Sequence, residues 1–196
     1  MLESDRMSTT ARRVHYTYQQ YVALEEESAI RHEYLDGEIY AMAGGSPDHA
    51  ALAAVVIALI RPQLPRGCRV FTSDLRIRIA SSGLSTYPDV AVVCGRTERA
   101  AEDPLAVVNP VLLVEITSSS TEEYDRGEKL RHCKQLPSLR EILIVSHREP
   151  RLTLHRREDA DWAVVEARRH ETVALEGIAA RLSVDDVYRD DLEDMP

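Results

Sequence analysis

Two acidic residues stand in runs that are otherwise built to be buried. The segment Pro110-Val111-Leu112-Leu113-Val114-Glu115-Ile116 reads as a strand with Glu115 near its end, and Pro88-Asp89-Val90-Ala91-Val92-Val93 opens a second strand with Asp89. Burying an unpaired carboxylate is costly, so two such strands call for a cation that holds the acids together. Leu113, Glu115 and Thr117 share one strand face, with Leu112, Val114 and Ile116 on the other, so the Glu115 face must meet something polar. Two carboxylates at adjacent strand ends suit Mg²⁺ or Mn²⁺, hard ions that prefer oxygen ligands and retain waters. Such an ion can activate water and stabilise charge on a phosphate oxygen. A nearby lysine would orient the water or offset the developing charge. The plainer alternative is a structural ion pair between Glu115 and an arginine such as Arg76 or Arg78, with Asp89 as a strand-end cap.

The surrounding elements follow from capping and periodicity. Thr17-Tyr18-Gln19-Gln20 fits a capping box, which predicts a helix from about Tyr18 to Glu27. Asp36-Gly37 sits between Glu33-Tyr34-Leu35 and Glu38-Ile39-Tyr40 as a hairpin turn would. Ser46-Pro47-Asp48 has the residue types of a helix start, and the helix should run to Ile60 before Pro62, nearly apolar all round. Cys68 to Ala80 reads as one or two strands with Arg69, Arg76 and Arg78 on a polar face. Strands 89–94 and 111–117 lack clean alternation and should be central, with a loop over 95–109 between them. A charged helix should span Thr121 to about Gln135, followed by a strand over 139–146. Short antiparallel strands near 152–155, 163–165 and 173–175 and a helix near Val184 to Tyr188 complete the chain. This order predicts an α/β (α+β) fold: a mixed central sheet flanked by helices, with extra antiparallel strands at the C-terminus.

At 196 residues the chain fits one domain, expected over 16–190, with loose tails at 1–15 and 191–196. Its 44% hydrophobic and 29% charged content is that of a soluble globular protein, and no apolar run is long enough to span a membrane. The net charge of -9 argues against a general nucleic-acid coat but not against an enzyme whose acids bind metal. Three cysteines without ligand spacing predict buried thiols in a reduced, cytoplasmic protein rather than a disulfide framework. Lys129 and Lys134 are the only lysines, so the position of each matters. No glycine-rich nucleotide-binding motif occurs.

The joint pattern is more specific than any of its parts. Pro88-Asp89-Val90, Val114-Glu115-Ile116-Thr117-Ser118 and Tyr124-Asp125-Arg126-Gly127-Glu128-Lys129 resemble the Uma family of restriction endonucleases, within the PD-(D/E)xK nuclease superfamily. The stretches Glu33 to Ile39, Met42 to His49 and Leu136 to Glu141 are similar to it as well, so the resemblance covers roughly Tyr16 to Tyr188. It implies a restriction-endonuclease-like fold, a divalent metal, and hydrolysis of DNA phosphodiester bonds. By position, Asp89 and Glu115 match the family's metal-binding acids. The usual lysine two residues past the glutamate is replaced by Thr117, and the resemblance implies that Lys129, from the following helix, takes over. Glu33 matches an acid contributed from the N-terminal region, Asp74 is a further candidate metal ligand, and His49 a further polar candidate. The analogy with enzymes that cut both strands implies a homodimer. The displaced lysine and the acidic composition also motivate a second reading, a nuclease fold retained as a non-catalytic binding or regulatory module.

Overall fold

Thr17 starts the first element by accepting a hydrogen bond from Gln20 N, while the Gln20 side chain reaches back to Thr17 N at 2.8 Å. Helix α1 (Tyr18–Glu27) follows from this reciprocal cap. The structure, a computed structural model, describes residues 14–42 and 44–189. Apart from residues 14 and 15, the tails expected at 1–15 and 191–196 lie outside the described residues. Strands β1 (His32–Leu35) and β2 (Glu38–Ala41) form the anticipated hairpin. Asp36 and Gly37 at its turn have φ of 44° and 94°, the left-handed pair that matches the twist of the two strands. Ser46 caps helix α2 (Pro47–Ile60) by accepting from His49 N. Only Leu52, Val56 and Ile60 of α2 are buried, so the helix lays one stripe, rather than its whole surface, on the sheet.

Strands β3 (Cys68–Thr72), β4 (Arg76–Ile79), β5 (Leu84–Thr86), β6 (Val90–Cys94), β7 (Arg99–Ala100), β8 (Asp103–Val107) and β9 (Leu112–Ile116) come next. A helical stretch follows: α3 (Glu122–Tyr124), a π-helical turn (Asp125–Lys129) and α4 (Leu130–Cys133). The chain then forms β10 (Glu141–Val145), β11 (Arg151–Glu158), β12 (Asp161–Arg168), β13 (Thr172–Leu175), β14 (Ala180–Ser183) and α5 (Val184–Val187). One mixed sheet has the order β2-β1-β5-β4-β8-β7 and the other β12-β11-β10-β9-β6-β3, with β13 and β14 as a separate hairpin. In the second sheet β9 and β10 run parallel, while their outer neighbours are antiparallel. Val92, Val114 and Leu143 on one face pack with α2, α5 and the β13–β14 hairpin. Ala91, Leu113 and Ile144 on the other pack with Ile77 and Leu84 of the first sheet and with Leu130 and Cys133 of α4.

Three further expectations change. Residues 95–109 are not a plain loop, because β8 pairs in parallel with β4 and β7 folds back on β8. Arg76 and Arg78 do not line a polar face; both are buried. Arg76 meets Asp103 at 3.0 Å and Arg78 lies 3.9 Å over the Tyr18 ring, so charge and aromatic partners offset their burial. Their acidic partners are Asp103 and Glu102, which leaves Glu115 to another cation. Finally, Cys68 and Cys94 are directly opposed across β3 and β6 and form a disulfide, while Cys133 alone of the three is a buried thiol. Cross-strand register, invisible in the spacing of 26 residues, brings the two sulfurs together. No helix among the described residues is long and apolar enough to cross a membrane.

His155 of β11 gives the fold a pH dependence. Its Nδ1 is buried without a hydrogen-bond partner, and burial, reinforced by Lys134 and Arg126, pushes the imidazole down to about 4. A histidine whose folded pKa lies below its unfolded value of about 6.5 contributes stability above that value and loses it as pH falls towards 4. Replacing it in His155→Phe should shrink the difference in unfolding free energy between pH 7 and pH 5 by about 1 kcal/mol. Urea unfolding at the two pH values reads this directly; an unchanged difference would place the acid sensitivity elsewhere.

Candidate active site

Glu115 lies on β9, between β6 and β10, with its side chain on the face that carries Leu113 towards the helical stretch 122–133. That stretch answers it with Lys129. The ammonium donates to Glu115 Oε2 at 2.9 Å and lies 3.2 Å from Glu33 Oε1 and 3.7 Å from Asp125 Oδ1. Lys129 and Glu115 are each only 5% exposed, so this is an interior ion cluster rather than a surface pair. The π-helical turn that contains Lys129 is a rare local widening of a helix, frequent at functional sites. Glu33 arrives from β1 of the other sheet and accepts hydrogen bonds from the Thr86 and Tyr124 hydroxyls. Two strands and the helical stretch therefore converge on one nitrogen.

The cluster has more carboxylates than cations, and its titration reflects that. Burial pushes the Glu115 carboxyl well above its ordinary range; Lys129 opposes the shift, while Asp89 and Asp125 reinforce it. Asp125 is raised by burial against the pull of Lys129. For Lys129 burial favours deprotonation, yet Glu115, Glu33 and Asp125 together hold the ammonium well above its usual value. Glu33 alone goes down: burial would raise it, but Lys129 and its two hydroxyl donors win. Glu115 Oε1 remains buried with no hydrogen-bond partner. The floor of the site is thus short of positive charge by a visible margin.

Asp89 sits at the entry to β6, half-buried beside this cluster. Its Oδ2 accepts from Ile116 N at 2.7 Å and lies 3.3 Å from His49 Nε2. The backbone of β9 therefore fixes the very carboxylate that stands next to Glu115. The bond to Asp89 raises the His49 pKa, against the effect of burial. Glu33, His49, Asp89, Glu115 and Lys129 all line a single cleft of about 1000 Å³. Asp74 is not among its lining residues. The side chain is 76% exposed and paired with Arg31, so the structure keeps it apart from the other candidates.

The sequence carries no sign of Thr86 and Tyr124, which tie down Glu33. Asp125 pairs locally with Lys129, as their i,i+4 spacing leads one to expect. The contacts of Thr86 and Tyr124 depend instead on how two sheets and a helix meet. Among the described residues, no three of His, Cys, Asp and Glu converge as a ready metal-ligand set. What the residues do fit is an ion held by Asp89 and Glu115 with waters completing its shell, the usual manner of Mg²⁺. The orphaned Glu115 Oε1 and the surplus of carboxylates are the features that match it.

Comparison with known proteins identifies the family and the fold. The model of the Uma2 family, described as "Putative restriction endonuclease", matches residues 18–185. The uncharacterized protein slr1290 of Synechocystis sp. is 36% identical over 173 residues, covering 87% of this chain and 90% of that protein. A second Synechocystis protein, sll1609, is 32% identical over 130 residues, covering 66% of this chain and 73% of its own length. The crystal structure of "a putative nuclease belonging to DUF820" from Anabaena variabilis superposes with a TM-score of 0.65 at 21% identity. That likeness covers 83% of this chain and 92% of the other, and it is a likeness of fold. A family match that takes in every residue of the cleft, joined to the same mixed fold, means that the chain belongs to the Uma2 family.

Proposed function

We propose that this protein is a divalent-metal-dependent endonuclease that hydrolyses DNA phosphodiester bonds. The observation that carries the reading is the 2.9 Å contact from Lys129 to Glu115: a lysine from the helix reaches the acid whose own strand offers only Thr117. Asp89 and Glu115 would hold Mg²⁺ or Mn²⁺. When bound, such an ion supplies charge to the phosphate and makes a water more acidic. The chain's own groups do the positioning. Ile116 N and His49 hold Asp89, while Lys129 keeps Glu115 in place. An ammonium has three N–H donors; two point to the carboxylates at 2.9 and 3.2 Å. The third faces Asp125 at 3.7 Å, beyond a normal hydrogen bond, and can take an attacking water. With DNA as substrate the protein would work in the cytoplasm. Cutting both strands, one per cleft, would take a homodimer.

The test is cleavage of supercoiled plasmid by purified protein in Mg²⁺ or Mn²⁺. Glu115→Gln and Asp89→Asn should each lower the rate by about 100-fold or more, with an unchanged or higher unfolding midpoint. Mn²⁺ at a hundred times its dissociation constant should stabilise the native protein by about 2.7 kcal/mol and both variants far less. A native protein that binds DNA without cutting it would fit a non-catalytic nuclease-fold module instead, and equal cutting by the variants would sink the assignment of the acids.

Lys129→Met tests the counter-ion role separately. Removing the ammonium leaves buried carboxylates unpaired and should cost about 3–5 kcal/mol at pH 7. The sign of its pH dependence is also fixed. Carboxyls whose folded pKa lies above the unfolded value stabilise the fold at low pH and lose that contribution as pH rises through the folded value. The variant should therefore recover stability between pH 7 and pH 5, measured by urea unfolding. Native-like stability at pH 7 would show that Lys129 is not what balances the cluster.

A further inference from the structure

The position two residues past Glu115 is not empty of chemistry. Thr117 is buried at the end of β9, and its hydroxyl lies 2.8 Å from Nδ1 of His147, which follows β10. The parallel register that sets Val145 beside Ile116 brings these two strand exits together. Thr117 N donates to Val145 O at 2.9 Å, and His147 N donates to Thr117 Oγ1 at 3.2 Å, so the corner is stitched twice through the backbone. Behind it the Tyr188 hydroxyl donates to Ser146 O at 2.6 Å and pins the turn that presents His147. Thr117 and His147 both line the cleft that holds Asp89 and Glu115. Among the described residues, His147 Nε2 has no protein partner.

We propose that His147 is the side chain that contacts the scissile phosphate at the place where a strand lysine would otherwise act, with Thr117 as its positioning residue. This rests on the phosphodiesterase reading above. The Thr117 hydroxyl has two acceptors within reach, His147 Nδ1 at 2.8 Å and Val145 O at 3.4 Å. Donation along the shorter contact makes Nδ1 the acceptor and leaves the ring proton on Nε2. The imidazole then offers a fixed N–H donor to a non-bridging phosphate oxygen. Burial favours the uncharged ring; Glu122 opposes this, while Arg148, His49 and Arg126 reinforce it. A neutral donor gains in strength as charge builds on the phosphate, and removing one such donor typically lowers turnover by about 100-fold or more.

The experiment has two independent readouts. In steady-state plasmid cleavage with Mn²⁺, His147→Ala should lower kcat by about 100-fold with little change in KM, and His147→Gln, which keeps an N–H donor, should recover part of the loss. Thr117→Val should lose about 10-fold and Thr117→Ser should behave as native. A loss in KM alone, or equal loss in Thr117→Val and Thr117→Ser, would overturn the positioning role. Separately, side-chain ¹⁵N NMR of the native protein, with His147→Gln to assign the resonance, should show Nε2 protonated and shifting on addition of thymidine 3′,5′-bisphosphate. A ring protonated on Nδ1, or a resonance unmoved at millimolar bisphosphate, would overturn the proposal. If the native protein cuts no DNA, the nuclease reading fails, and the resonance still decides whether His147 meets phosphate.

Discussion

One ammonium group serves three buried carboxylates, and the architecture of the site depends on it. Lys129 joins Glu33 on the first sheet to Glu115 on the second, and Asp125 on its own helix to both. Desolvating four ionisable groups is tolerable only if their mutual attraction is close to ideal, which the 2.9 and 3.2 Å contacts provide. Nothing else among the described residues ties β1 to β9 through charge. Remove the nitrogen and the two sheets would face each other across like charges. The same contact that makes the site chemically interesting therefore also holds it closed from behind.

The topology supplies that nitrogen. β9 and β10 run parallel, and parallel neighbours cannot be joined by a tight turn; they need a crossover, here the helical stretch that contains Lys129. A connection the sheet required in any case thus delivers a lysine to the face where Glu115 is buried. The parallel pairing also leaves both strand ends at the same edge, so Thr117 and the residues after Val145 meet there. With the lysine coming from the crossover, position 117 is released to bond His147. On the proposed reading, the lysine supplied by the crossover and the histidine at that corner are two sides of one arrangement.

How far the sequence could be read follows from the range of each interaction. Capping boxes, the Asp36-Gly37 turn and the helix start at Ser46 are local, and each appears at its expected residues. Glu115 and Asp89 were legible because an acid inside an apolar strand conflicts with its surroundings, and such conflicts mark sites. Lys129 needed the family resemblance, since a lysine on a charged helix is otherwise an ordinary solvated residue. Asp74 misled because a polar residue after an apolar strand looks alike whether it faces a cleft or solvent. Arg76 and Arg78 misled in the other direction: alternation reports that a strand has two faces, but not that Asp103 and Tyr18 will make the second face interior. Cys68–Cys94 and Thr117–His147 depend on register between strands distant in sequence, which no local pattern encodes.

Charge finally bears on the order in which ligands can enter. The cleft floor sets Glu33, Asp89, Glu115 and Asp125 against Lys129 and a His49 whose pKa is raised, so acids outnumber bases there as they do in the whole chain. A phosphodiester brings further negative charge into a poorly solvated space, where repulsion is screened little. On the proposed reading, the divalent ion must therefore bind first and reverse the sign of the site before DNA can settle in it. A neutral histidine at the rim suits that sequence better than a second lysine would. An added fixed positive charge would compete with the ion for the same carboxylates, whereas an uncharged N–H donor helps the phosphate without weakening the pull on the metal.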